Sequence, residues 1–497
     1  MNLQNLALLA KNEKWKLLHR TKAALCVVAF VAASSATVVV GQFVASDPGV
    51  RGGTIDSGKS LDLTQTPGAA DFFKDGLNRF VAVEGVSGQP NNNGLGPRYN
   101  TNQCASCHAQ PAVGGTSPST TAFPFLGPNP ETLVANLDGQ TNQNTIPSFI
   151  TPDGPVREAR FKFFLDASSP RGGRHSFDPS GPTADGGVHD LYVISGRQDA
   201  GSCAIKQPDF ARNLALNNVI FRIPTPVFGA GLMENISDEA ILSNMSLNQQ
   251  QKQALGISGH PNRDGNDGAI SRFGWKAQNK SLEIFAGEAY NVEMGVTNEL
   301  FQNERASPDE AQNGGLPANC KVNPTPEDTT NFAASPNYAV PSDTVQFAMF
   351  MRLLAPPTAS TTVPGGATSI SNGSQVFGAI GCAMCHTPTL ATAPSSFVAG
   401  LGPGQANLFS DLLVHHMGTN LADGVSQGGA GPDEFRSAPL WGLGQRIFLL
   451  HDGRTKDLVD AIREHASDGS EANRVIHNFN RLSPQQEQDL LNFLRSL

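Results

Sequence analysis

The chain has 497 residues, a formal net charge of −9, and only 16% charged residues, well below the quarter typical of globular proteins. Its 51 Gly and 34 Pro are the composition of a loop-rich fold, with short helices separated by ordered connections. The length suits about two or three domains, and the acidic balance leaves no basic stripe to neutralise phosphates, which excludes nucleic acid as a partner.

The first 22 residues carry Lys11, Lys14, Lys16, Arg20 and Lys22, and Ala23 to Ala45 is apolar apart from Ser34, Ser35, Thr37, Gly41 and Gln42. A basic stretch followed by an apolar one reads as a secretory signal. Small residues around Ala33 to Ala36 offer a cleavage site. The apolar run is also long enough to serve as an uncleaved N-terminal membrane anchor. Residues 1–45 are therefore expected to export the chain to the periplasm or cell envelope, cleaved or anchored in the inner membrane. Cys26 lies inside this segment and is expected to have no role in the mature domain. Residues 46–68, rich in Gly, Ser, Asp and Thr, read as a linker.

From Ala69 the pattern turns helical, with Phe72, Phe73, Leu77, Phe80 and Val81 on an approximate apolar face. A Gly/Asn/Pro-rich insertion, Gly85 to Asn100, leads to Cys104-Ala-Ser-Cys107-His108. A second motif of the same form is Cys382-Ala-Met-Cys385-His386. C-x-x-C-H is the attachment signature of c-type haem. Two thiols on one turn add to the two vinyl groups of a haem, and the adjacent His becomes the proximal iron ligand. A thioredoxin-like pair does not require the following His, and a zinc ribbon would bring its two C-x-x-C units much closer together. The sequence thus implies two covalently bound c-type haems, with Cys104, Cys107, Cys382 and Cys385 attaching them and His108 and His386 on the metals.

Between the motifs, residues from about 125 to 335 hold aromatic and polar clusters at Gly187–Arg197, Arg222–Leu232, Arg272–Gln278 and Gly287–Glu293. Cys203 and Cys320 remain once the haem thiols and Cys26 are set aside. An oxidising compartment allows a disulfide between them, the alternative being two unrelated buried thiols. Further on, Val345 to Leu354 reads as an apolar helix stopped at Pro356-Pro357. Ser371 or Asn372 is placed to cap the helix that runs into Cys382. Ser483-Pro484-Gln485-Gln486 begins the last helix with a capping box. The domains read as an N-terminal haem domain over 69–340 with a large insertion, and a C-terminal cytochrome c-like haem domain over 341–497. The fold class is mainly α, two cytochrome c-like haem domains with a loop-rich insertion and few short strands.

On ligand chemistry, Met417 in His415-His416-Met417-Gly418 is the expected sixth ligand of the second haem, since a thioether opposite His gives a high-potential centre. His415 and His416 are the alternatives. The first haem has no equally clear partner. His175 and His189 are the available imidazoles, and an open iron position is the other reading.

These motifs, together with Gly94–Asn100, Gln110–Gly115, Asp411–Gly418, Phe435–Gly444 and His451-Asp452-Gly453-Arg454, resemble the bacterial di-haem oxidoreductase family. That family is related to the di-haem cytochrome c peroxidases and the methylamine-utilisation di-haem enzymes. The resemblance covers roughly residues 70 to 497, with a middle segment longer than in typical di-haem peroxidases, and substrate access lives in such insertions. It implies a His/Met C-terminal haem that takes electrons from a donor such as a small cytochrome or cupredoxin, and an N-terminal haem that meets hydrogen peroxide or dioxygen. It further implies Glu288 as the distal acid/base with Glu293 second, Trp275 between the haems, and Arg436 and Arg454 on haem propionates. His451 would orient a propionate or support a loop. A structural calcium and a homodimer complete the expectations. Three activities follow from the same architecture: a peroxidase-like oxidoreductase, an electron-transfer cytochrome without catalysis, and a di-haem oxygenase or maturation enzyme.

Overall fold

The structure is a computed structural model describing residues 44–51, 57–88, 93–118, 127–135, 144–165, 184–328, 342–395 and 398–497. The basic and apolar segment up to residue 43 and the candidate ligand His175 lie outside the described residues. Among the described residues no helix is long and apolar enough to cross a membrane.

Among the described residues, four two-stranded sheets and the following helices, out of a larger number, position the two motifs. Helix α1 spans Ala69–Phe80 and α2 is the single turn Cys104–Cys107. Helices α3 and α4 span Leu282–Met294 and Asp343–Leu353. Helix α5 spans Gly366–Ile380, followed by α6 over Leu458–Glu464, α7 over Asn473–Phe479 and α8 over Pro484–Ser496. The sheets are antiparallel pairs: β1 (Arg98–Tyr99) with β3 (Tyr192–Val193), β2 (Glu158–Phe161) with β4 (Val219–Arg222), β5 (Leu390–Thr392) with β6 (Gly404–Ala406), and β7 (Val414–His416) with β8 (Glu434–Arg436). The mainly helical class with few short strands agrees with the sequence reading.

Local chemistry sets the helix ends. Ser281 and Ser342 accept from the third backbone N–H of α3 and α4, satisfying donors that have no partner in the first turn. The expected capping box is present at α8, with Ser483 and Gln486 bonded reciprocally and Pro484 at the first position. Helix α5 departs from expectation. It begins at Gly366 rather than at Ser371 or Asn372. Those residues sit inside the helix, where Asn372 donates to Asp489 of α8 (3.3 Å); with an interhelical acceptor available, no chain end is needed there.

Packing gathers the helices around two apolar cores. Phe80 of α1, Tyr290 of α3 and Phe347 and Phe350 of α4 belong to the first. A buried ion cluster joins the same three helices: Arg79 meets Glu84 at 2.7 Å and Asp343 at 2.8 Å, and donates to the Tyr290 hydroxyl at 2.6 Å. Phe377 and Ile380 of α5 and Leu490, Leu491 and Leu494 of α8 build the second, each large side chain stabilising by about 1.5–3 kcal/mol when buried. The helix after residue 340 therefore packs with the first motif's side of the molecule, through α1 and α3. Ala45–Leu497 holds together as one unit.

Cys203 and Cys320 form a disulfide across 117 residues of chain. Closing a loop of that length stabilises by about 4–5 kcal/mol in the chain-entropy picture. Replacing both cysteines by Ser is expected to lower the unfolding free energy by about that amount. Guanidinium unfolding would read it as a lower midpoint, and an unchanged midpoint would show that the bridge constrains nothing.

Candidate functional site

The first motif is positioned by two loops. His108 follows the single turn α2, and the chain then folds back through Gln110 to Thr116, with Gly114 N donating to His108 O and Thr116 N to Gln110 O. This turn presents Gly115 O to His108 Nδ1 at 3.0 Å. A Cβ at Gly115 would sit 1.9 Å from Gln110 O, so only glycine permits so tight a return. With Nδ1–H donated to a carbonyl, Nε2 is left as the lone-pair nitrogen. Burial pushes the imidazole down to about 4, which keeps that lone pair unprotonated at neutral pH.

The second motif repeats this device with different parts. Helix α5 ends at Gly381, whose φ of 107° is open to glycine and strained for other residues, and the chain turns directly into Cys382. His386 Nδ1 donates to Phe409 O at 3.1 Å. Burial, then the neighbouring His465, pushes His386 down to about 4.

Each motif faces a cavity. The first, about 1190 Å³, is lined by Cys104, Cys107 and His108. The second, about 1570 Å³, is lined by Cys382, Cys385 and His386. Ile223, Pro224 and Trp275 line both. Trp275 is fixed by its Nε1–H on Ile223 O (2.9 Å) and its carbonyl on Arg436 N (2.9 Å), with its ring edge-on to His451.

The cavities differ in chemistry. The first has a wall of acids on α3 and β2. Glu293 accepts from Asn100 Nδ2 at 2.8 Å and shares a hydrogen bond with Glu158. Burial, then Glu158, drives Glu293 well above the usual carboxylate range. Burial also acts on Glu158, but Arg160 and Arg222 outweigh it and hold that carboxyl low. The pair thus keeps one proton between two carboxylates. Glu131 on the same cavity is pushed up to about 8 by burial. Asn100 reaches Glu293 because Gly94–Asn100 straps the end of α3. Gly96 N and Asn100 N donate to Met294 O and Glu293 O, and a Cβ on Gly96 would lie 2.2 Å from Gly295 O.

The second cavity instead carries Met417 and a half-buried His465. His465 follows α6, and its Nδ1 donates to Ala461 O at 2.7 Å, leaving Nε2 open as in the two motif histidines. Arg436 and Arg446 also line this cavity. Burial lowers both guanidiniums to about 10, and they repel each other. Arg446 donates to Pro439 O and Arg436 to Gly274 O and Ser437 O; neither forms an ion pair among the contacts described, and Asp411 only partly offsets the lowering at Arg436.

A haem fits these observations. Each cavity offers two thiols and one imidazole nitrogen free to bind iron, and the second offers two buried cations where carboxylates would be welcome. Among the described residues, no group of three or more His, Cys, Asp or Glu is arranged to hold a bare metal ion. A haem, which supplies its own four nitrogens, does not need one, and the expected calcium finds no such cluster.

Several expected residues lie elsewhere. Arg454 lines neither cavity; it bridges Asp452 (2.7 Å) and Glu464 (3.2 Å), because two acids within ten residues capture it first. His189 bonds Asp185 (2.8 Å) and stacks on Phe161, away from the first cavity. His415 has both nitrogens engaged, on Glu471 (2.8 Å) and Asp411 (3.1 Å). His416 lies between Asp433 and Glu434. Glu288 does line the first cavity, held by Asn279. His465, Glu158, Glu131 and Arg446 were not singled out from the sequence. The position of His465 one step past a helix end is a weak signal, shared with ordinary C-terminal caps.

The site defines a class: a protein built to hold two haems, one beside a group of acids and one beside the further imidazoles of His415, His451 and His465. Residues 187–497 match the family model described as "Di-haem oxidoreductase, putative peroxidase". The match spans more than half of the chain, and the chain belongs to this family of di-haem redox enzymes. No curated protein matches it. Among solved structures it is similar to Kuenenia stuttgartiensis hydrazine synthase, with 21% identity over 32% of this chain and 56% of that one and a TM-score of 0.23. It is also similar to a MauG-like protein associated with microbial copper homeostasis, with 15% identity over 55% of this chain and 90% of that one and a TM-score of 0.26. The chain thus spans 56% of that hydrazine synthase chain.

The acid pair has a pH signature. An unfolded Glu titrates near 4.5, whereas folded Glu293 keeps its proton well above that. Between those values the folded state binds more protons than the unfolded state, so this group's contribution falls as pH rises through the folded value. Glu293→Gln is expected to flatten that decline between pH 5 and 8 (about the working range of urea unfolding). Parallel stability profiles for the variant and the parent would contradict a shared proton.

Proposed function

We propose that this protein is an exported di-haem c-type cytochrome that reduces hydrogen peroxide at the His108 haem, with electrons entering through the His386 haem. The asymmetry of the two cavities carries this reading. Buried acids and, among the described lining residues, no second imidazole surround His108, whereas His465 and Met417 face the cavity of His386. An iron held by His108 would then be accessible to a small oxidant, and one held by His386 would have a second protein ligand at hand.

The haems supply the iron chemistry and the electron storage. The chain's own residues bind, orient and move protons. Gly115 O and Phe409 O fix the two proximal imidazoles. Peroxide cleavage needs a proton carried from one oxygen to the other. Glu293, holding the shared proton of the Glu158 pair, is the group for this, in preference to Glu288, which is held by Asn279. Trp275, on the wall common to both cavities, is placed to carry electrons between them. Arg436 and Arg446 would hold the carboxylates of a haem bound in the second cavity.

For the second haem we propose that His465, together with His386, would hold the iron. The Nε2 of His465 is free, and its imidazole is near enough to lower the His386 value. Met417 lines the same cavity and is the alternative ligand. The two haem regions are proposed as 69–340 joined by α4, and the remainder to 497. Export and an oxidising compartment are supported by the Cys203–Cys320 bridge. The electron donor is proposed to be a small cytochrome or cupredoxin. An N-terminal membrane anchor and a homodimer remain part of this proposal.

Optical and EPR spectra of half-reduced protein, before and after one equivalent of hydrogen peroxide, test the reading. A high-spin ferric haem that peroxide consumes, with oxidation of the second haem, is expected; two low-spin haems indifferent to peroxide would leave an electron carrier. Glu293→Gln is expected to slow the peroxide reaction by about 10²–10⁴-fold. His465→Ala is expected to turn the second haem high-spin while Met417→Leu leaves it low-spin, and the opposite pattern would assign the thioether.

A further inference from the structure

Reduction of one peroxide takes two electrons and two protons and yields two waters: H2O2 + 2 H⁺ + 2 e⁻ → 2 H2O. The one-electron donor supplies the electrons. The protons must reach acids of the inner cavity, since Glu158 and Glu293, both half-buried, line it. This demand follows from the peroxidase reading above.

A third carboxyl stands behind that pair. Arg160 of β2 bridges Val188 in antiparallel register, and His189 N donates to Ala159 O at 2.9 Å. One residue beyond the His189–Ala159 bond, this register brings Asp190 beside Glu158, and the pairing ends there as Leu191 N turns to Asn100 Oδ1. Asp190 also lies close enough to repel the Glu293 carboxylate. Its side chain is 2% exposed, and its two oxygens are treated unequally. Oδ2 accepts from Arg305 Nε at 3.0 Å, while Oδ1 is buried with no hydrogen-bond partner.

On its other side Asp190 lines an outer cavity of about 950 Å³, with Asp185, His189 and Arg305. Arg305 remains 21% exposed, so this end reaches solvent. The charged groups nearest the row are Arg305 outside, and Arg160 and Arg222 within. His189 is occupied by Asp185, and Arg98 by Glu310. The carboxyls Asp190, Glu158 and Glu293 thus form a row from the outer cavity to the inner one.

We propose that Asp190 is a proton relay, taking protons from solvent in the outer cavity and passing them to the Glu158–Glu293 pair. In each transfer the O–H bond of a protonated Asp190 breaks as one forms on the facing carboxylate, and Asp190 is reprotonated from water. Asp190 touches no substrate; it acts through Glu158.

Infrared hydrogen–deuterium exchange on the resting haem-loaded protein tests this without peroxide. The carboxylic C=O band lost in Glu293→Gln reports the shared proton. Asp190→Asn, which keeps size and the contact to Arg305, is expected to slow deuterium exchange of that band by about tenfold or more. Asp190→Glu, which restores a carboxyl, is expected to return it toward the parental rate. Parental exchange in Asp190→Asn, equally slow exchange in Asp190→Glu, or the absence of a band lost in Glu293→Gln would each overturn the relay. Slowed exchange in a protein that ignores peroxide would keep the relay and remove the peroxidase reading instead.

Discussion

An imidazole binds iron through one nitrogen, and the other must be told where its proton belongs. Both motif histidines receive this instruction from a backbone carbonyl, Gly115 O for His108 and Phe409 O for His386. The neighbouring structure is shaped to deliver those two oxygens. The hairpin from Gln110 to Thr116 exists in a form that only glycine at 115 allows, and Phe409 sits at a positive φ of 53° among the rings of Phe377 and Phe493. A carbonyl is a weaker partner than a carboxylate and leaves the ligand less basic, so the choice also bears on the electron density each iron would receive.

Charge is distributed unevenly around this shared device. Acids gather at the first cavity beside Arg160 and Arg222, and at the second Arg436 and Arg446 form no ion pair among the contacts described. In a low-dielectric interior neither arrangement is neutral in energy. Buried carboxyls respond by keeping protons, as Glu293 and Glu131 do. Guanidiniums cannot discharge in the same way, so Arg436 and Arg446 require an anion. The two cavities are therefore chemically complementary halves, with Trp275 as their common wall.

The sequence made the two cysteine pairs and the histidines that follow them legible because C-x-x-C-H is a local pattern whose chemistry fixes its spacing. It made α8 legible through its capping box and the Cys203–Cys320 bridge through parity. What it hid depends on distant partners. Glu158 meets its partner only when β2 is paired with β4 and Glu293 of α3 reaches it. Arg454 looked as suitable for a propionate as Arg436 until Asp452 and Glu464 were seen to hold it. Arg446 carried no local mark at all. His465 was masked by Met417, which has the more familiar ligand chemistry. Helix α4, expected beyond a domain boundary, packs on α1 and α3 because Asp343 completes the Arg79 cluster, a contact between residues more than 260 apart.

The disulfide sets a sorting problem among the thiols. Cys203 and Cys320 must find each other across 117 residues, while Cys104 and Cys107, or Cys382 and Cys385, are three apart and unbridged. On loop-closure entropy alone, a three-residue contact forms about two hundred times more readily than a 117-residue one, although so short a loop is stiff. An oxidant acting on the naked chain would therefore meet the wrong pairs first. Correct maturation is a race that the long-range pair wins only if the neighbouring thiols are kept reduced or already consumed, and the order of two covalent reactions becomes as much a property of this sequence as its fold.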